Sequence, residues 1–289
     1  MTTTTTPAES RRPPKRAAFL AALLLTLATV AGVVWRETHF DARLEALPDA
    51  PFDLLVQAGV SDGEVAAVRD GLRAADRHLR TVLGTGVTQR VEVRIARSQG
   101  CQPLASPAGP PTGWATDRLL CLNTRAPAWR SQYARDPALA ANVAAHEHIH
   151  NLQGQLGCHR ARQDHEWLWL FEGTAVHLGF QSLVTAGRWP DATATEQIRR
   201  WGVADPVLGP LPDYATDGTG VGDPAYALFH LATRYLDEQA ARPTALVDFC
   251  RAVGTGQPWR DAFAEAFGMP VDTFYTRFAA ARPQLIAAL

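Results

Sequence analysis

The pentapeptide His146-Glu147-His148-Ile149-His150 constrains this chain more than any other feature. Two imidazoles four residues apart share a face only on an α-helix, so the segment around them must be helical to bring them together. Asp136-Pro137 marks where that helix begins. Asp at the N-cap accepts from free N–H groups of the first turn, and Pro at the first position removes no donor the helix needs. Gly157 marks its end. The spacing therefore predicts a helix over residues 137–156. On it His146 and His150 offer two ring nitrogens to one metal ion, and Glu147 leans over the ion's open position. His148 points to a different side and is not counted as a ligand. The competing reading is a pair of hydrogen-bonded core histidines, because Val143, Ala144, Ala145 and Leu152 give the helix apolar surroundings.

A third ligand separates the two readings. The metzincin pattern puts a histidine at position 156 and a glycine at 153; here they are Leu156 and Gln153, with Gly154 and His159 out of register. The next helix, expected over residues 164–186, carries Trp167-Leu168-Trp169-Leu170-Phe171-Glu172-Gly173-Thr174-Ala175. A lone carboxylate behind five apolar residues is costly to bury unless it is paired or metal-bound. Glu172 is thus the candidate third ligand, and Gly173 beside it permits close helix packing. Glu166, next to His165 at the helix start, is the reserve ligand, although acidic residues there ordinarily serve the helix dipole. His177 lies well round the helix from Glu172 and is expected in the surroundings of the site or at the surface. His159, beside Cys158, is expected to face solvent.

These motifs resemble a known family. HEHIH followed by WLFEGTAVHL is similar to the gluzincin metallopeptidases, and specifically to the compact peptidase-MA-like group, in which a Trp-Leu-x-Glu-Gly-x-Ala segment delivers the glutamate ligand. Residues 226–236, 245–256 and 259–269 resemble that group's helical tail, and the strands near 91–95 and Gly113-Trp114 fit its small sheet. The resemblance spans residues 60–282. It implies a zincin-like domain with Zn2+ held by His146, His150 and Glu172, and a peptide or protein substrate. It also implies Glu147 as the general base that takes a proton from the attacking water and passes it to the leaving amine. The oxyanion needs a further donor. Similar enzymes draw a Tyr or His from the region after the long loop, so Tyr226 is the candidate, with Tyr214 and His230 as competitors. Gly113-Trp114-Ala115 is a candidate edge strand for an extended substrate. Two other readings stay open: a hydrolase of non-peptide amides, and an anchored binding or scaffold domain that cleaves nothing. The intact Glu147 argues against the last.

Residues 17–35 read AAFLAALLLTLATVAGVVW, without a charge, behind Arg11, Arg12, Lys15 and Arg16. At about 1.5 Å per residue the run just spans a hydrocarbon core. The basic cluster keeps residues 1–16 in the cytoplasm as a disordered tail and places the rest outside. The expectation is a single-pass cell-membrane protein with an extracytoplasmic catalytic domain. A cleaved signal peptide, with Thr29-Val30-Ala31 at the cleavage site and a secreted product, is the alternative. Pro48, Pro51 and sparse periodicity make residues 36–52 a linker, leaving 53–289 as the catalytic domain. A net charge of −1 supplies no basic field for nucleic acid.

Elsewhere Val65, Val68, Leu72, Ala75, Leu79 and Leu83 share one face of a helix expected over 62–84. Val91, Val93 and Ile95 alternate with polar residues as a strand, and residues 114–122 read as a second strand. Further helices fit 192–201, 223–240, 243–253, 258–267 and 271–281, with a long loop over 203–222. A small N-terminal sheet and a helical C-terminal half make the fold class α+β. Cys101, Cys121, Cys158 and Cys250 permit three pairings. The favoured one joins 101 to 121 across a Pro- and Gly-rich loop, and 158 to 250, clamping the site against the tail.

Overall fold

Strand β2 (Phe52–Gln57) alternates buried and half-buried side chains, and so does β3 (Val91–Ala96) over its first residues. Period-two burial of this kind puts one face of a sheet against a core. With β1 (Ala42–Ala46), β4 (Gly113–Ala115) and β5 (Leu119–Asn123) they form one five-stranded sheet in the order β1-β2-β3-β5-β4. The inner pairs β2–β3 and β3–β5 are parallel, and the outer pairs are antiparallel. Helix α1 (Asp62–Val82) connects β2 to β3, as parallel strands require. It starts on a capping box in which the Ser61 hydroxyl accepts from the Glu64 N–H and the Glu64 carboxylate accepts from the Ser61 N–H.

This computed structural model describes residues 26, 42–47, 50–97, 112–161, 167–214 and 222–289. The chain divides into residues 1–41 and residues 42–289. In the first unit only Thr26, which is helical, is described, so the expected tail at 1–16 and anchor at 17–35 lie outside the described residues. Among the described residues no helix is long and apolar enough to cross a membrane.

Two expectations need correction. Residues 42–46, inside the segment read as a linker, form edge strand β1, so the folded unit begins at Ala42 rather than 53. This strand is held by its antiparallel ladder to β2, and its charged side chains reach α1: Arg43 pairs with Asp62 and Glu45 with Arg69. The segment 114–122 is a hairpin, not one strand. Thr116 reverses the chain by accepting from the Leu119 N–H through its hydroxyl and donating its own N–H to the Leu119 carbonyl.

The remaining elements are helical. They are α2 (Pro127–Arg135), α3 (Pro137–Gln155), the single turn α4 (Cys158–Ala161), α5 (Leu168–Thr185), α6 (Asp191–Arg200), α7 (Asp223–Gln239), α8 (Ala245–Gly254), α9 (Trp259–Phe267) and α10 (Val271–Ala287). A 3-10 turn at Leu211–Tyr214 lies within the long loop. The mixed α+β architecture, with a small sheet first and a helical half after, matches the sequence reading. Helix α3 is capped as expected, Asp136 accepting from the Ala138 N–H at 2.9 Å, a contact of about 1 kcal/mol.

α3 is buried on most of its circumference, which makes it the central helix. It packs between α1 and α5, and its last turns dock on the sheet. Asn151 donates to the Thr116 and Leu119 carbonyls, and Gln155 accepts from Thr88 and Gln89 N–H while donating to the Asp117 carbonyl. Behind α5, Trp169 stacks on Phe274 at 5.3 Å and donates to the Tyr275 hydroxyl at 3.0 Å. Cys158 and Cys250 form the expected disulfide, joining α4 to α8. Cys121 is also disulfide-bonded; its expected partner Cys101 lies outside the described residues.

Candidate metal centre

Helix α3 supplies two imidazoles one turn apart, and α5 crosses it to supply one carboxylate. Gly173 fixes how closely α5 and α7 approach, since a Cβ there would lie 2.6 Å from the Phe229 carbonyl oxygen. Nε2 of His146 and Nε2 of His150 are 3.1 Å apart, and Oε2 of Glu172 lies 3.2 Å from His150 and 3.5 Å from His146. A tetrahedral ion with ligands at about 2.0–2.1 Å separates them by about 3.3–3.4 Å. Three donor atoms thus stand at the edge lengths of one coordination polyhedron. Among the described residues, this is the one group of His, Cys, Asp and Glu side chains gathered closely enough to hold a metal ion. Two imidazoles and a carboxylate suit zinc and other borderline divalent metals.

The surroundings orient these donors. His150 faces inward through Nε2 because its Nδ1 is 2.6 Å from Gln153 Oε1, and Gln153 Nε2 donates to the Phe171 carbonyl at 2.9 Å. Phe171 also stacks on the His150 ring at 4.5 Å. Burial alone pushes the Glu172 carboxyl up, but the charges and hydrogen bonds of His150 and His146 hold it below the usual carboxylate range. Burial lowers His150, yet Glu172 and its own hydrogen bonds raise it overall. The cluster therefore favours positive charge at its centre.

Glu147 is buried and does not join the trio. Desolvation raises its pKa, partly opposed by His146 and His150 and reinforced by Glu172. Its carboxylate occupies space that only glycine leaves open: a Cβ on Gly113 would lie 2.8 Å from Glu147 Oε1. Glu147, the three donors and the strand residues Gly113-Trp114-Ala115 line one cleft of about 520 Å3. The cleft is of the size that holds small molecules or a short peptide stretch.

Of the residues considered from sequence, Tyr226 lines this cleft, its ring 6.2 Å from that of His146. Its competitors do not line it. Tyr214 packs on Phe229, and His230 packs on His177 and Phe180. His148 turns away, its ring edge-on to Phe52 at 4.8 Å. His177 is buried against Asp237 rather than at the surface. His165 and the reserve ligand Glu166 lie outside the described residues. His159, expected to face solvent, lines the cleft with its ring 5.2 Å from Phe171; its place beside Cys158 was the only sequence signal. The orienting role of Gln153 has a sequence signal, its spacing of three from His150 on one helix face.

No protein-family model matches this chain, and no characterised protein matches it in sequence.

Proposed function

We propose that this protein is a zinc-dependent peptidase of the gluzincin type, built on a zincin fold and anchored by residues 17–35 with its catalytic domain outside the cytoplasm. The observation that carries the reading is the meeting of three donor atoms 3.1–3.5 Å apart, in one cleft with a buried carboxylate that is not among them. A structural site has no use for that fourth group, whereas a hydrolase needs it as a base. The Cys158–Cys250 disulfide supports an oxidising compartment.

His146, His150 and Glu172 would hold the ion. A bound zinc supplies Lewis acidity toward a carbonyl and toward water, whose pKa it brings to about 7. Glu147, with its raised pKa, takes the proton of the attacking water and delivers it to the leaving amine. The Tyr226 hydroxyl donates to the developing oxyanion. Among the described residues strand β4 is the last strand of the sheet, paired with β5 on one side. Its residues line the cleft beside Glu147, where an extended peptide would run along them.

The test is metal analysis of the full chain and of the Glu172→Ala and Glu147→Gln variants, with cleavage of a peptide library. About one zinc per chain is expected in wild type and Glu147→Gln, largely lost in Glu172→Ala, with cleavage by wild type alone. Zinc without cleavage in wild type favours the binding-domain reading. Absence of zinc from all three, purified without chelator, overturns the metal centre.

A further inference from the structure

His159 lines the cleft from the single turn α4, outside the group of three gathered donor atoms. A helix of four residues has little stability of its own, so what holds the turn is what places His159. Two contacts with α8 hold it. Cys158 is fully buried and bonded to Cys250. Gly157, just before it, has φ 94° and lies so close to Gly254 that a Cβ on Gly157 would be 2.6 Å from the Gly254 Cα. The side chain that follows these two anchors is thereby fixed at the cleft wall.

The wall it joins is aromatic. Phe171 stacks on the His150 ring at 4.5 Å and 15°, and His159 meets Phe171 at 5.2 Å and 48°. The Phe171 ring is buried among those of His150, His159 and Trp167. His159 is half-buried and keeps part of its ring open to the cleft. Its ring centre is 6.4 Å from that of His150, and successive residues of a peptide are about 3.8 Å apart. A peptide lying in the cleft with its scissile carbonyl at the three donors therefore brings a neighbouring side chain within reach of His159. Such a surface favours a flat ring, because aromatic rings gain from offset and edge-on packing at about 4.5–7 Å beyond what burial alone gives. An aliphatic chain gains from burial only.

We propose that His159 determines specificity in the cleft, and that the substrate residue flanking the scissile bond on the His150 side is aromatic. Its ring lies against the open part of His159, with the edge of Phe171 behind. The inference rests on the peptidase reading of the site, which supplies the scissile bond.

The test uses the zinc-loaded full chain and two pairs of probes. One pair is an alanine-based peptide carrying Phe or Leu at each position in turn, with cleavage sites mapped by mass spectrometry. The other is 3-phenylpropanohydroxamate and hexanohydroxamate, metal-binding groups with a ring or an aliphatic chain, titrated calorimetrically. Wild type is expected to cleave with Phe on one constant side of the scissile bond, at a kcat/KM at least about tenfold above that with Leu, and to bind the phenyl hydroxamate at least about tenfold more tightly. His159→Ala is expected to bring both ratios to within about twofold of unity, with zinc content unchanged. His159→Phe, which restores a ring without its nitrogens, is expected to keep both near the wild-type values. Peptide cleavage without a preference for Phe overturns the proposal and leaves the peptidase reading standing. A hydroxamate preference that His159→Ala removes, with no peptide cleaved, supports the aromatic wall and overturns the peptidase reading alone. Equal binding of the two hydroxamates by wild type, a preference retained in His159→Ala, or one lost in His159→Phe overturns the proposal.

Discussion

Gln153 joins the two helices of the candidate metal centre through one side chain: its Oε1 lies 2.6 Å from His150 Nδ1, and its Nε2 donates to the Phe171 carbonyl at 2.9 Å. Phe171 immediately precedes Glu172, so one amide sets both the rotation of the His150 imidazole and the register of the helix that carries Glu172. A partner of this kind fixes the imidazole's tautomer and orientation, and its loss typically costs 10–100-fold in metal affinity.

Gln153→Leu, close in volume, is therefore expected to weaken zinc binding by about 10–100-fold while leaving the three donors in place. Competition with a chelator of known zinc affinity measures this. An unchanged affinity would mean that Phe171 stacking alone holds the His150 ring.

Gly113 is expected to act on the base and not on the metal. Its substitution by alanine puts a Cβ within 2.8 Å of Glu147 Oε1 and Cγ, so the carboxylate has to move. General base catalysis contributes about 10²–10⁴-fold. Gly113→Ala should lose a large part of that in kcat with zinc content unchanged. A wild-type kcat in this variant would show that Glu147 has another productive rotamer.

Much of this was legible because it is periodic or local. The i, i+4 histidines, the Asp136-Pro137 cap, the Glu172 that follows five apolar residues and the α1 face from Val65 to Leu79 all depend on spacing along one helix. What was not legible depends on partners distant in sequence. β1 is placed at the sheet edge by its backbone ladder to β2, which leaves no apolar alternation to read. The Thr116 turn is hidden inside a run that reads as β on both sides. His159 reaches the cleft from α4, which the Cys158–Cys250 bond ties to α8, a partner 92 residues away. The burial of His177 is set by α7, whose Asp237 lies sixty residues away. Composition and periodicity carry no information about such pairings.

The Cys158–Cys250 bond, 92 residues apart in sequence, restricts a long stretch of the unfolded chain. Replacing both cysteines with alanine is expected to lower stability by about 2–5 kcal/mol. Because His159 and Phe171 lie in the same region of the cleft, KM for peptides should also rise. Denaturant titration of the double variant against wild type checks the first effect, and the second follows from its kinetics. An unchanged midpoint would indicate that α4 is held by packing alone.

Acid sensitivity should come from buried histidines. Burial lowers the pKa of His148 to about 4, despite Asp76 nearby, and also holds His78 and His230 below the ordinary value. Above about pH 6.5 these rings are neutral in both folded and unfolded chains and contribute no pH dependence. Below it the unfolded chain takes up protons that the folded one refuses, so stability falls as pH falls. Each such ring adds a slope of up to about 1.4 kcal/mol per pH unit between its unfolded and folded pKa. His150 works in the opposite direction: Glu172 raises it, so its contribution is present at low pH and lost as pH rises. Comparing wild type with His230→Leu cancels that term. Chemical denaturation between about pH 5 and pH 8 should give the variant the shallower dependence below 6.5 and the same flat behaviour above it. Equal slopes for the two proteins would mean that His230 takes up its proton without unfolding.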